Sequence, residues 1–200
     1  MNHKFFDITK EKQDRIINAA LKVFARSGYR HASTDDIVKE AAISKGLLFH
    51  YFESKLGLYE FLYDYGTRFV LLELTGEVRQ SETYYFAVMR GIEAARMNVL
   101  KKYPYLRRFL DTADEEECEE AVRAIGEARE NYQERMRSIF AQADYHVFEP
   151  QADPERMHKS IEFTLKGLTE DYCRKPDYTP EELYEEILGY LKMYEKMFLG

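Results

Sequence analysis

Ser33 to Lys55 reads STDDIVKEAAISKGLLFHYFESK. Its spacing predicts two short helices joined by a tight turn, with a third helix starting at its end. The second, Lys45 to Phe52, is too short to be a core element. It carries Gly, His and aromatic residues where a surface helix carries Glu and Lys. At roughly 100° per residue, Leu48 and Phe52 share one face and point into a core with Ile37 and Ala41. Lys45, Gly46, Leu47, Phe49, His50 and Tyr51 form the exposed set. Leaving Leu, Phe and Tyr in water implies that a partner covers them. A short helix with an aromatic and basic outer face fits a DNA-reading element.

The helix starts are legible as well. Ser33 is placed to N-cap the first helix, with Asp36 as its reciprocal partner, and Ser44 and Ser54 to cap the next two. Free amides at such ends bind phosphate. Lys45 and Lys55 each follow a cap and add a cation beside it. Upstream, Lys10 to Ser27 has a helical stripe of Ile16, Ile17, Ala20, Leu21, Val23 and Phe24, with Gly28 at a left-handed cap and Tyr29 folding back on Phe24.

These pieces, in this order, resemble the DNA-binding domain of the TetR (tetracycline-repressor) family of bacterial transcriptional regulators over residues 10–60. The resemblance rests on Ile16 to Phe24, Arg26-Ser27-Gly28-Tyr29, Ser33-Thr34 with Ile37, Ser44-Lys45-Gly46, Leu48-Phe49-His50-Tyr51-Phe52 and Ser54-Lys55. The chain departs from the family at Leu47, where a small or hydroxyl residue is usual, and at Phe49, where a Tyr that contacts phosphate is usual. Leu47 suits a thymine methyl instead. Ala42 stands where Gly is common, so the turn either avoids a positive φ or tolerates Ala at a cost.

Downstream the reading is helical throughout. Helices are expected from Ser54 to Val78, interrupted by Gly57, Gly66 and Gly76, and from Glu82 to Tyr103. A short one follows from Tyr105 to Thr112, and a long one opens in the acidic stretch Asp114 to Glu120 and runs to about Ala143. Residues 144–151 read as a loop. Asp153-Pro154-Glu155 and Thr179-Pro180-Glu181-Glu182 are helix starts, each with a capping residue before Pro. The expected fold is all-α, with a three-helix helix-turn-helix DNA-binding domain at 1–55 and a larger helical effector-binding and dimerisation domain at 56–200.

Composition narrows the function. The 200 residues carry a net charge of −7. Residues 1–55 hold ten Lys and Arg against seven Asp and Glu, while the remainder holds 19 against 29. A basic head on an acidic body is compatible with local binding to DNA. No run of 18 apolar residues marks a membrane span. The N-terminal residues do not read as a signal peptide. Two cysteines, Cys118 and Cys173, suit a reducing compartment. The expected location is the cytoplasm. No nucleophile motif, P-loop or dinucleotide fingerprint is present, so neither an enzyme nor a cofactor is expected. His146, Glu149 and His158 read as solvated surface and not as a metal site.

In the last two expected helices, Ile161, Leu165, Leu168 and Tyr172 form one stripe and Leu183, Ile187, Leu191 and Tyr194 another. They face either the chain's own core or a second copy in a four-helix bundle. The family resemblance implies the second. The aromatic and Met residues Tyr85, Phe86, Met89, Met97, Phe109, Tyr132, Met136 and Phe140 are either core or the lining of an apolar pocket. The resemblance implies a pocket whose small apolar or aromatic effector releases the DNA. The expected function is therefore a homodimeric repressor of a palindromic operator, the alternative being an effector-independent architectural DNA binder. Thr34, Lys45, Gly46, Leu47, His50, Tyr51 and Lys55 are the expected DNA contacts.

Overall fold

The computed structural model describes residues 3–149, 152–173, 175 and 179–199. α1 (Lys10–His31) buries Ile16, Ile17, Ala20, Leu21 and Phe24, the expected stripe. Its regular backbone breaks at Gly28, which takes φ 65°. Tyr29 then stacks on Phe24 with ring centroids 6.4 Å apart.

α2 (Thr34–Ala41) is capped by Ser33, whose hydroxyl accepts from the Asp35 amide at 3.2 Å. The cap bond thus goes to Asp35 and not to the expected partner, Asp36. The helix closes in a Schellman turn: Ala42 N–H bonds the Lys39 carbonyl (3.3 Å) and Ile43 N–H bonds that of Val38 (3.1 Å). Ala42 sits at φ 50° and ψ 50°, so the turn takes the left-handed conformation and tolerates the Cβ at a cost. Arg15 donates to the Ala41 carbonyl (3.0 Å) and Lys22 pairs with Glu40 (2.6 Å), which fixes α2 on α1.

Ser44 caps α3 (Lys45–Phe52) by accepting from Leu47 N–H at 3.2 Å. Ser54 caps α4 (Lys55–Glu77) by accepting from Gly57 N–H at 3.0 Å. The glycines of α4 do not interrupt it. A Cβ at Gly57 would overlap the Phe52 carbonyl oxygen, and one at Gly66 would overlap Leu106, whereas Gly76 faces open space.

The remaining helices are α5 (Tyr85–Lys102), α6 (Leu106–Asp114), α7 (Glu119–Ala141), α8 (Pro154–Cys173) and α9 (Pro180–Leu199). α5 starts later than Glu82, because the Glu82 carboxylate accepts from the Tyr84 amide (2.9 Å) ahead of the first turn. Only Glu119 and Glu120 of the acidic stretch lie in a helical first turn; residues 115–118 are a connection. Cys118 there is a free, half-buried thiol, and the Cys173 side chain lies outside the description. Both Pro-led starts are as expected. Asp153 accepts from Arg156 N–H (2.8 Å), and Thr179 and Glu182 bond each other's amides (3.2 and 3.0 Å) in a capping box.

The chain packs as two compact units, Met1–Leu71 with Lys102–Glu134, and Leu72–Lys101 with Arg135–Gly200. The expected boundary at 55/56 lies within the first of these units. In the first unit α1 packs on α2 and α6. In the second, α8 packs on α9 and on a 3-10 turn, Tyr145–Phe148, within the segment expected to be loop. Phe148 organises that turn: it is fully buried, 4.8 Å from the ring of Tyr85. Residues 150 and 151 of the same segment are outside the description. His146 and Glu149 are exposed and 3.2 Å apart, as expected of surface groups.

His158 is not the solvated residue expected. Its ring lies 5.8, 5.1 and 5.6 Å from those of Tyr85, Tyr145 and Phe140. Tyr85 Oη is 2.9 Å from Nδ1, and Glu162 lies 3.7 Å from Nε2. Burial holds the imidazole below the usual histidine range; Glu162 opposes the shift and Arg96 adds to it.

The left-handed Ala42 and the buried His158 each have a measurable consequence. Ala42→Gly relieves the left-handed Cβ and stabilises the fold by roughly 1 kcal/mol, read by urea denaturation. Because the folded pKa of His158 is depressed, its contribution to stability is complete above about pH 6.5. It is lost as pH falls through the folded value, since the unfolded chain takes the proton first. His158→Gln flattens that acid slope in melts run between pH 7.5 and 5; an unchanged slope assigns the acid sensitivity elsewhere.

Candidate nucleic-acid interface

α3 is held by its inner side. Leu48, Tyr51 and Phe52 are 1%, 5% and 1% exposed. Under them lies Phe5, fully buried in a 3-10 turn, His3–Phe5, with ring centroids 5.6 Å from Tyr51, 4.9 Å from Phe52 and 5.3 Å from Phe61. Tyr51 is thus corrected from the exposed set to the core. It follows Leu48 by three residues and so leans to the same side. Helical periodicity misses Phe5, whose one signal is the apolar pair Phe5-Phe6 ahead of the first helix.

The outer side of α3 presents Lys45, Gly46 and His50 as exposed residues, flanked by half-buried Leu47 and Phe49. No atom lies within 4 Å of where a Gly46 Cβ would be, so nothing in the chain itself requires glycine there. Thr34 is half-buried at the first turn of α2. Lys45 Nζ is 2.8 Å from Asp35, with both side chains largely exposed. Such a surface pair contributes about 0–1 kcal/mol, so a phosphate can compete for the lysine.

Lys55 is placed differently from its expected role. Its ammonium donates to the carbonyls of Tyr29 (2.9 Å), Arg30 (3.4 Å) and Ala32 (3.4 Å), and lies 4.4 Å from the Tyr29 ring centroid. It closes the end of α1 and is not a free phosphate contact. A cation suits that position, because the last carbonyls of a helix carry partial negative charge.

The exit from α3 is tightly constrained. Glu53 has φ 66° and ψ −45°, and Ser54 N–H bonds the Phe52 carbonyl at 2.7 Å. This is the rare positive-φ γ-turn, a strained form. The same carbonyl is approached by Gly57 Cα, which leaves no room for a side chain. The tilt of the reading helix is therefore fixed by its two neighbours in sequence as well as by the aromatic cluster.

The other two expected sites change more. Phe109 belongs to the aromatic core of the first unit, 6.2, 5.4 and 6.4 Å from Phe24, Tyr59 and Tyr63. Tyr85, Phe86 and Met89 are fully buried in the second unit. Met97, Tyr132, Met136 and Phe140 are half-buried, Tyr132 in the first unit and the others in the second. Among the expected dimer contacts, Ile161, Leu165, Leu183, Ile187 and Leu191 are at most 4% exposed within the single chain, where α8 and α9 pack on each other and on the 3-10 turn. Leu168, Tyr172 and Tyr194 are half-buried, and the Tyr194 hydroxyl bonds that of Thr164 (2.9 Å). The large apolar residues left exposed on these helices are Phe163, Met193 and Met197.

Among the described residues no helix is long and apolar enough to cross a membrane, and no group of three His, Cys, Asp or Glu is placed to hold a metal. A capped two-helix unit with an outward-facing second helix has the geometry of a helix-turn-helix. Residues 16–62 match the family model of bacterial regulatory proteins, tetR family. An HTH-type transcriptional regulator of Bacillus subtilis, YuxN, is 46% identical over 59 residues, covering 28% of this chain and 20% of that protein. The biofilm operon negative regulator IcaR of Staphylococcus aureus is 40% identical over 48 residues, 24% of this chain and 26% of its own length. The chain thus spans about a quarter or less of the relatives it matches. Across almost the whole chain the fold is that of a TetR-family regulator from Chloroflexus aurantiacus, with 20% identity, coverage of 98% and 96%, and a TM-score of 0.60. PfmR from Thermus thermophilus is similar at 18% identity, coverage of 91% and 97%, and a TM-score of 0.60. Over residues 16–62 the chain is thus similar to the tetR family of bacterial regulatory proteins, and beyond them the likeness is one of fold.

Gly46→Ala separates fold from reading. With open space at its Cβ, the substitution leaves the melting temperature equal or higher. It lowers DNA affinity by about tenfold, or about 1.4 kcal/mol, if DNA backbone approaches there. Equal affinity in a fluorescence-anisotropy titration removes Gly46 from the interface.

Proposed function

We propose that the chain is a homodimeric, sequence-specific repressor that works in the cytoplasm and reads a palindromic operator through α3. The observation that carries this is the two-sided α3: an inner side held by an aromatic cluster, and an outer side presenting Lys45, open Gly46 and His50. Lys45 and His50 sit where base edges or phosphates are read, Leu47 suits a thymine methyl, and Thr34 lies beside a helix N-terminus that favours phosphate. The repressive sign rests on the Staphylococcus aureus relative, a negative regulator. Dimerisation uses the outer sides of α8 and α9, where Phe163, Met193 and Met197 are 64%, 46% and 64% exposed. Arg156, Lys159, Ser160 and Thr164 line a shallow depression around Phe163. A two-fold pair of such helices matches a palindromic site.

Release by a small apolar or aromatic effector belongs to this reading through the aromatic body. The solid burial of Tyr85, Phe86, Met89 and Phe109 instead favours a second reading, an effector-independent DNA binder on the same fold. Ligand-induced loss of operator binding decides between them.

Selection from a random DNA pool tests the function itself. The expected result is an inverted repeat bound with steep salt dependence. Salt-sensitive binding without an enriched sequence sinks the repressor reading. Phe163→Glu is expected to yield monomers by light scattering and to weaken the selected site on the order of a hundredfold, as one half-site is lost. A dimer that persists places the interface elsewhere.

A further inference from the structure

We infer that Glu116, in the connection between α6 and α7, is a positioning residue for DNA reading, acting on α3 through the peptide of Tyr29 and the ammonium of Lys55. The inference rests on the DNA-reading function proposed above and specifies how that site is held.

The Tyr29 peptide is gripped from both sides. Glu116 Oε2 accepts its N–H at 2.8 Å, and Lys55 Nζ donates to its carbonyl at 2.9 Å. Both bonds are charge-assisted and therefore stronger than ordinary amide pairs. Gly28 makes the first possible. Its φ of 65° turns the next amide away from the helix axis, and a Cβ there would sit 3.3 Å from Glu116 Oε2. Glu116 is itself fixed, because Oε1 accepts from the amides of Glu117 (3.2 Å) and Cys118 (3.0 Å). A second arm runs from the Tyr29 hydroxyl to Glu120 Oε1 at 2.7 Å, at the start of α7. The ring between these arms is 4% exposed and packs edge-on to Tyr59 at 5.1 Å.

On its far side the grip reaches the reading helix in two residues. Lys55 is the first residue of α4, directly after the Ser54 cap and the strained Glu53 turn that ends α3. Gly57 allows no slack between that turn and α4. The path Glu116, Tyr29, Lys55, Glu53 is contiguous, and all of it lies in one compact unit. A shift of the α6–α7 connection that withdraws the carboxylate frees the end of α1. Lys55 then loses a fixed acceptor, and the α3–α4 turn loses its anchor. Such contiguous contacts are one physical route for coupling.

The test uses the full chain, the selected inverted repeat and five variants, Lys55→Met alone among them. Glu116→Ala is expected to weaken operator binding about tenfold with the salt slope unchanged, because no phosphate contact is removed. Glu116→Gln, whose one amide oxygen keeps the Tyr29 bond while its NH2 faces the amide donors of Glu117 and Cys118, recovers part of that loss. Tyr29→Phe, which removes only the arm to Glu120, costs about threefold. Combining Glu116→Ala with Lys55→Met costs much less than the product of the two single losses, since both act on one peptide. Circular dichroism and melting curves establish that each variant is folded at the assay temperature. Affinity within twofold of wild type for folded Glu116→Ala, or losses that multiply fully in the double variant, overturns the inference while leaving DNA reading intact. A wild-type chain that selects no sequence overturns both.

Discussion

An eight-residue helix is not stable alone in water, so the outer surface of α3 exists only because Leu48, Tyr51 and Phe52 are buried on its inner side. The cluster that receives them draws Phe5 from ahead of α1 and Phe61 from α4. Full burial of one such ring contributes about 1.5–3 kcal/mol, well above what capping adds. The caps, the Schellman turn and the γ-turn then set where the backbone enters and leaves the helix. Packing holds α3 in place and local chemistry fixes its angle.

Features that depend only on neighbours along the chain are legible in the sequence. Ser33, Ser44 and Ser54 mark three helix starts, and Pro154 and Pro180 two more, because capping is a local interaction. Periodicity also places Lys45, Gly46 and His50 correctly on the outer side of α3. It misplaces Tyr51, because a helical wheel sees only its own helix, and the ring that covers Tyr51 comes from Phe5, far along the chain. Lys55 is misleading for a related reason. A lysine after a cap suits an anion, but folding brings the last carbonyls of α1 to it first.

The stripes on α8 and α9 show the same limit in another form. Their periodicity reveals a face that must be covered and says nothing about what covers it. Ile161, Leu165, Leu183, Ile187 and Leu191 are already buried within the single chain. Among the described residues, the exposed Phe163, Met193 and Met197 interrupt the polar side of these helices. The burial of His158 is equally invisible in sequence, because nothing nearby announces the rings of Tyr85 and Phe140 around it.

The division of labour within α3 bears on how such a protein acquires a new target. Gly46 has free space where a side chain would project, and Lys45 and His50 project from the exposed side, whereas Leu48, Tyr51, Phe52 and Gly57 are each committed to interior contacts. Solvent-facing and fold-bearing roles thus fall on different positions of one short segment. Under the proposed function, a library varied at 45, 46 and 50 alone explores new DNA sequences on an unaltered scaffold. Drift at 51 or 57 meets a structural veto before any change in specificity is tried.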